Sequence, residues 1–176
     1  YKYVQRMRNH EAWNTKNISS WDLSLDGAAE INSFLNASPD IYYFSYSFSA
    51  TKKDELTGHH IPNKDVFLLI RSRAKLLGSR VVFTSNGSET DSTWWENDGI
   101  VNSRSMKGPT TGQNGADPIV EYLPSEPLMQ GQWYTFESIK LDHYQSVGHM
   151  LSNEKREMLD SIYIKHAQLL WSLPKY

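Results

Sequence analysis

The sequence predicts an α/β fold, and three of its stretches carry that expectation. Asp26 to Leu35 places Ala28, Ile31, Phe34 and Leu35 at helical spacing behind a possible Asp26 cap, and Pro39-Asp40 breaks the pattern. Ile41 to Phe48 then alternates, with Tyr42, Phe44, Tyr46 and Phe48 on one face and Ser45 and Ser47 on the other. Helix, turn and strand in that order suit a sheet covered by helices. A final helix over about Glu154–Leu173 carries Met158, Ile162, Leu169, Leu170 and Leu173 opposite its charges. Asn153 or Ser152 can cap it, and Pro174 lies beyond its end.

The remaining elements are less regular. Residues 1–20 read as a short polar helix anchored by Met7 and Trp13, running into an irregular segment. Thr51 to Lys64 is a polar loop, and Val66 to Leu77 is a helix or a structured excursion. Gly78 to Ser92 is loop with one strand-like run, Val81-Val82-Phe83. Residues 110–130, rich in Gly, Pro and Thr, form a surface excursion, and Trp133 to Ile139 contains a short strand. No repeat or linker interrupts the 176 residues, so the expectation is one continuous piece spanning 1–176.

Bulk properties exclude several roles. A net charge of −2 gives no field strong enough to recruit nucleic acid or acidic lipid. The cluster Arg71, Arg73, Lys75 and Arg80 is read as a solvated face in preference to a phosphate site. Without cysteine there is neither a disulfide framework nor a thiolate metal site. The longest apolar run, Val66 to Ile70, is far short of a membrane span. Sequons at Asn17, Asn36 and Asn86 lean weakly towards secretion. Trp94, Trp95, Trp133 and Trp171 offer a carbohydrate-stacking alternative to ordinary core aromatics.

The chemistry-bearing stretch is Trp94-Trp95-Glu96-Asn97-Asp98-Gly99-Ile100-Val101-Asn102, answered by Leu141-Asp142-His143-Tyr144. Asp98 precedes His143 by 45 positions, the acid-then-base order of one class of serine-hydrolase triad. No Gly-x-Ser-x-Gly occurs in the chain. Each residue has a plainer reading: Asp-Gly is a common turn pair, and a lone histidine before tyrosine is often a polar loop group. Glu96 is the alternative acid, and Asp142 is read as positioning its loop. His59-His60, near Asp54, Glu55 and Asp65, is read as a polar loop pair, since adjacent histidines rarely face one ion.

With those residues read, the chain resembles the thermoalkalophilic bacillus and staphylococcal triacylglycerol lipases. The matching stretches are Trp21-Asp22-Leu23-Ser24 with Gly27-Ala28, Ala37 to Tyr43, Leu56-Thr57-Gly58, Trp95 to Pro109, and Leu141-Asp142-His143 with Val147-Gly148. They follow family order and cover nearly the whole chain. The resemblance implies an α/β-hydrolase fold, of which this chain is the C-terminal portion: the last strands and their flanking helices. It implies a secreted, extracellular ester hydrolase acting on acylglycerols or other esters at a lipid–water interface. Asp98 and His143 would be two members of a Ser-His-Asp triad, with the serine and oxyanion residues outside this chain. A lipase-derived module that binds lipid or protein without catalysis is the alternative.

The resemblance also implies calcium beside the histidine loop and zinc elsewhere, and here the sequence departs from the pattern. The calcium positions hold Gln145 and Met150, the family's carbonyl-donating glycine aligns near Asp65, and the zinc aspartate is replaced by Asn17. A hard cation wants anionic oxygen, so the expectation is that calcium is lost and zinc weakened or lost, leaving no cofactor. A half-sheet would leave an edge and an apolar face uncovered. Purified 1–176 alone is therefore expected to give no cooperative thermal transition, which differential scanning calorimetry would check.

Overall fold

The structure is a computed structural model and describes residues 15–17, 19–109 and 119–174. Residues 1–14 of the segment 1–20 and residues 110–118 of the 110–130 excursion lie outside the described residues. The chain clusters into two compact units. One comprises Tyr1–Ser45, Val81–Thr90 and Lys107–Glu137; the other comprises Tyr46–Arg80, Asp91–Met106 and Ser138–Tyr176.

The first unit is built on a three-stranded parallel sheet. Strands β1 (Tyr43–Ser45), β4 (Ile119–Glu121) and β5 (Trp133–Thr135) lie in the order β1-β5-β4. The register pairs aromatic with aromatic. Tyr43 opposes Trp133 and Phe44 opposes Tyr134, with ring centroids 4.8 Å and 5.8 Å apart. Such cross-strand contacts are the unit of sheet stabilisation. Phe136 extends the cluster, 6.1 Å from Phe44 and 4.5 Å from Tyr122. The regular strand is thus shorter than the alternating run predicts, since the expected Ile41–Phe48 pattern is ladder-paired only over Tyr43–Ser45. Val81-Val82-Phe83 contributes an isolated bridge, Phe83 to Glu89.

Two helices, α1 (Ser19–Asp22) and α2 (Leu25–Asn32), precede the sheet in this unit. The expected Asp26 cap is corrected: the N-cap is Ser24, in extended backbone, whose hydroxyl accepts the Gly27 N–H at 3.0 Å. With its cap two residues earlier, the helix also ends earlier, and Phe34 and Leu35 fall beyond it and are exposed. Asp26 is left to accept the backbone N–H and hydroxyl of Ser85, each at 3.0 Å.

The second unit has an antiparallel pair, β2 (Thr51–Lys53) and β3 (His60–Pro62). A short 3₁₀ turn, Leu68–Ile70, leads into α3 (Arg71–Leu77). Ala50, Val66 and Ile70 form its buried core, with Phe67 and Ile100 packed against them. Of the basic cluster, Arg71 donates to the carbonyls of Asn63 and Lys64 at 2.9 Å each, while Arg73, Lys75 and Arg80 are exposed. The solvated-face reading stands for those three.

Helix α4 (Asn153–Ser172) is capped by Ser152, whose hydroxyl accepts the Lys155 N–H at 3.3 Å. Its inward stripe is Lys155, Leu159, Ile162, His166 and Leu169, spaced by three and four residues. Met158 and Leu170, assigned to that stripe from sequence, are exposed, and Leu159 is its one buried member. The stripe is rotated because Lys155 and His166 are both drawn inward by polar partners. His166 Nδ1 lies 3.1 Å from the Tyr46 hydroxyl.

Gly99 has φ +97°, and a Cβ there would meet Ile70 Cδ1 at 2.7 Å. Gly99→Ala therefore incurs both left-handed strain and a clash with the core. A loss of about 2 kcal/mol is expected on chemical denaturation of the complete protein. A loss below about 0.5 kcal/mol would show that the loop can relax.

Candidate active site

All residues of the candidate site lie in the second unit. The acid loop begins at a buried asparagine. Asn97 donates from its side chain to the carbonyls of Ala74 (3.1 Å) and Trp95 (2.9 Å) and accepts the Gly99 N–H at 2.9 Å. Its own N–H donates to the Thr51 hydroxyl at 3.2 Å. These bonds fix the turn at whose centre Asp98 sits, and Asp98 is 1% exposed.

Asp98 divides its carboxylate between two tasks. Oδ1 accepts the N–H groups of Ile100 (2.9 Å) and Val101 (2.7 Å), an Asx-type arrangement that closes the turn. Oδ2 lies 2.8 Å from His143 Nδ1. The backbone repeats the link, since the His143 N–H donates to the Asp98 carbonyl at 3.0 Å. The two residues singled out from sequence are thus brought into direct contact. A carboxylate can only accept, so the proton of the neutral imidazole sits on Nδ1 and the Nε2 lone pair is available. The His143 side chain is 45% exposed.

Asp142 faces another way. Its Oδ1 accepts the N–H groups of Tyr144 (3.0 Å) and Gln145 (2.9 Å), and its Oδ2 accepts the Phe67 N–H at 2.8 Å. Its main-chain carbonyl accepts from Ser146 at 2.9 Å, and the Ser146 hydroxyl donates to the His143 carbonyl at 2.8 Å. The loop is closed by Gly148 in left-handed backbone. The reading of Asp142 as the residue that positions this loop agrees with these contacts.

The competing candidates are placed elsewhere. Glu96 lies 3.4 Å from the Lys140 ammonium. Burial pushes its carboxyl up, but the Ser49 hydroxyl and Lys140 outweigh it and leave the group below its ordinary value. His59 meets the Trp95 ring edge-on with centroids 5.0 Å apart, while His60 Nδ1 lies 3.3 Å from the Thr51 hydroxyl. Burial lowers the His60 pKa. The two histidines are therefore engaged separately. Of the tryptophans considered as a sugar platform, Trp133 stacks on Tyr43 and Trp94 lies under the Arg104 guanidinium. Among the described residues no three His, Cys, Asp or Glu side chains are grouped to hold a metal ion. No described helix is long and apolar enough to cross a membrane.

Replacing Asp142 with asparagine would turn one acceptor oxygen into a donor facing a backbone N–H. Asp142→Asn is expected to destabilise the complete protein by about 2–3 kcal/mol, read by chemical denaturation. An unchanged midpoint would mean that the loop does not depend on this carboxylate.

Comparison with known proteins places the chain. The family model described as lipase-like, C-terminal domain matches residues 1–170. The lipase of Staphylococcus hyicus is 26% identical over 166 residues, which is 94% of this chain and 24% of that protein. Lipase 2 of Staphylococcus aureus is 25% identical over 148 residues, 83% of this chain and 19% of its own length. Among solved structures, EstA from Clostridium botulinum superposes with a TM-score of 0.73 at 33% identity, over 90% of this chain and 37% of that one. Lipase 1 from Pelosinus fermentans gives 0.73 at 28% identity, over 99% of this chain and 44% of that one. The chain thus spans a quarter or less of the two staphylococcal sequences and under half of these solved chains. The α/β fold expected from sequence is the fold of the matching part of these structures. The chain belongs to the family of lipase-like C-terminal domains.

Proposed function

We propose that this chain supplies the acid and base of a Ser-His-Asp ester hydrolase, a triacylglycerol lipase or carboxylesterase, whose nucleophile lies outside these 176 residues. The observation that carries the reading is the 2.8 Å contact of His143 Nδ1 with a buried carboxylate already held by two backbone N–H groups. That arrangement leaves Nε2 as the basic nitrogen. His143 takes the proton of a serine hydroxyl as its oxygen attacks the ester carbonyl, then returns it to the departing alkoxide. A water molecule repeats the cycle on the acyl-enzyme. Asp98 stabilises the imidazolium formed in each half and stays ionised.

Membership of the lipase-like family, and relatives named as lipases, support an ester as substrate. An acylglycerol at a lipid–water interface, met outside the cell, belongs to the same proposal. The chain taken alone holds no Gly-x-Ser-x-Gly nucleophile motif and on this reading hydrolyses nothing.

The test is made on the full-length protein that contains this chain, with p-nitrophenyl butyrate and tributyrin. Asp98→Asn is expected to lower kcat by about ten-thousandfold, the loss that neutralising the same carboxylate causes in a serine protease. Retention of more than about a tenth of the rate would assign the acid elsewhere.

A further inference from the structure

Lys155 stands on the inward stripe of α4, and its side chain is only 22% exposed. Its ammonium contacts the Asp65 carboxylate and donates to Gln145 Oε1 at 2.9 Å. Gln145 is buried at 4% exposure. Its amide bridges two more groups, donating from Nε2 to the Asp65 carbonyl (3.2 Å) and accepting the Asp142 N–H at Oε1 (3.1 Å). Both groups facing Oε1 are donors, which fixes the orientation of the amide. Lys155 thus joins three segments: the Asp65 turn, the loop Asp142–Gly148 that carries His143, and α4. The ammonium also holds the Asp65 carboxyl below the usual carboxylate range.

The same position is where the lipase resemblance implies a calcium ion, and the donor set does not fit one. Calcium takes about six to eight oxygens, several of them anionic. Here Gln145 Oε1 already accepts two hydrogen bonds, and both Asp142 oxygens are occupied by backbone N–H groups. Met150 offers a thioether and is 68% exposed. The Asp65 carboxylate is paired with a fixed positive charge that repels a second cation.

Resting on the ester-hydrolase reading, we infer that Lys155 is a positioning residue for His143, an internal cation that tethers the histidine loop through Asp65 and Gln145 and frees it from dependence on calcium. Without the ammonium, Asp65 loses its counter-charge, Gln145 loses one of its two donors and the loop loses its tie to α4. His143 then samples positions off the line to its proton partner. An error of about 1 Å in such placement is costly to the chemical step and nearly neutral for substrate binding.

The experiment uses the full-length protein, with melting temperature and p-nitrophenyl butyrate kinetics as readouts. Neither EDTA nor millimolar calcium is expected to move the Tm of the wild type by more than about 1 °C. Lys155→Met is expected to lower the Tm by about 2–4 °C and kcat by about tenfold with KM little changed. Lys155→Arg, which keeps the charge, is expected to recover most of both. A Tm that rises with calcium, or that falls with EDTA and is restored by calcium but not by zinc, would overturn the inference. So would Lys155→Met with wild-type Tm and kcat, or an arginine variant no better than methionine. Should Lys155→Met fail to fold, the chelator arm and the arginine variant still decide. A wild type that melts as expected but hydrolyses no ester would sink the proposed function, and the Tm comparison would still judge the tether.

Discussion

The site depends on how one buried carboxylate is shared. Asp98 is removed from water at a cost that only hydrogen bonds can offset. Two of its partners are the Ile100 and Val101 N–H groups, so the same bonds that solvate the charge also shape the turn presenting it. The third is His143. A loosened turn would leave the carboxylate under-solvated and the imidazole misdirected together. This is why so much surrounding structure is committed to the turn. Asn97 anchors it to α3 through the Ala74 carbonyl, and Gly99 lets the chain pass Ile70 without a side chain.

Asp142 solves a different problem with the same side chain. It sits one residue before His143, yet its oxygens face Phe67, Tyr144 and Gln145. Neighbouring side chains on an extended or turning backbone diverge, so a single loop can present a histidine to one aspartate while a second aspartate ties the loop from behind. The division is chemically sensible. Asp142 spends both of its oxygens on three backbone N–H groups. Asp98 gathers its two on Oδ1 and leaves Oδ2 to His143.

Much of this was legible in the sequence, and the residues that were not share a cause. Asp98 and His143 were singled out by the resemblance of the stretches around them to the lipase family, and the structure brings the two side chains into contact. The α/β class was legible because aromatic alternation and helical spacing are local. Ser24 and Asp26 show the limit: both are good N-caps two residues apart, and only the partner of Asp26, Ser85, decides between them. The strand over Ile41–Phe48 illustrates another limit, because alternation reports which faces are apolar and not how many residues find a ladder partner. Lys155 was invisible for the strongest reason. On a helix it reads as a surface charge, and its role is defined by Asp65 and Gln145, neither of which is near it in sequence.

The half-exposed ring of His143 gives these tethers their significance. A buried catalytic side chain can be aimed by packing, but in the proposed hydrolase the imidazole meets a nucleophile from outside this chain and cannot be walled in. Its aim has to come from its backbone and from its far nitrogen. The His143 N–H is tied to the Asp98 carbonyl, its own carbonyl to Ser146, and its Nδ1 to the Asp98 carboxylate. Three directional bonds of about 3 Å define an imidazole's position more sharply than apolar contact would, because each weakens steeply with angle. Each is only as fixed as the segment behind it. The Asp98 turn is fixed by burial. The histidine loop, whose Tyr144 and Val147 are exposed, is held by Asp142 and Gln145. In the proposed hydrolase, the accuracy of the base is therefore set in the groups behind the loop, on the side away from the chemistry.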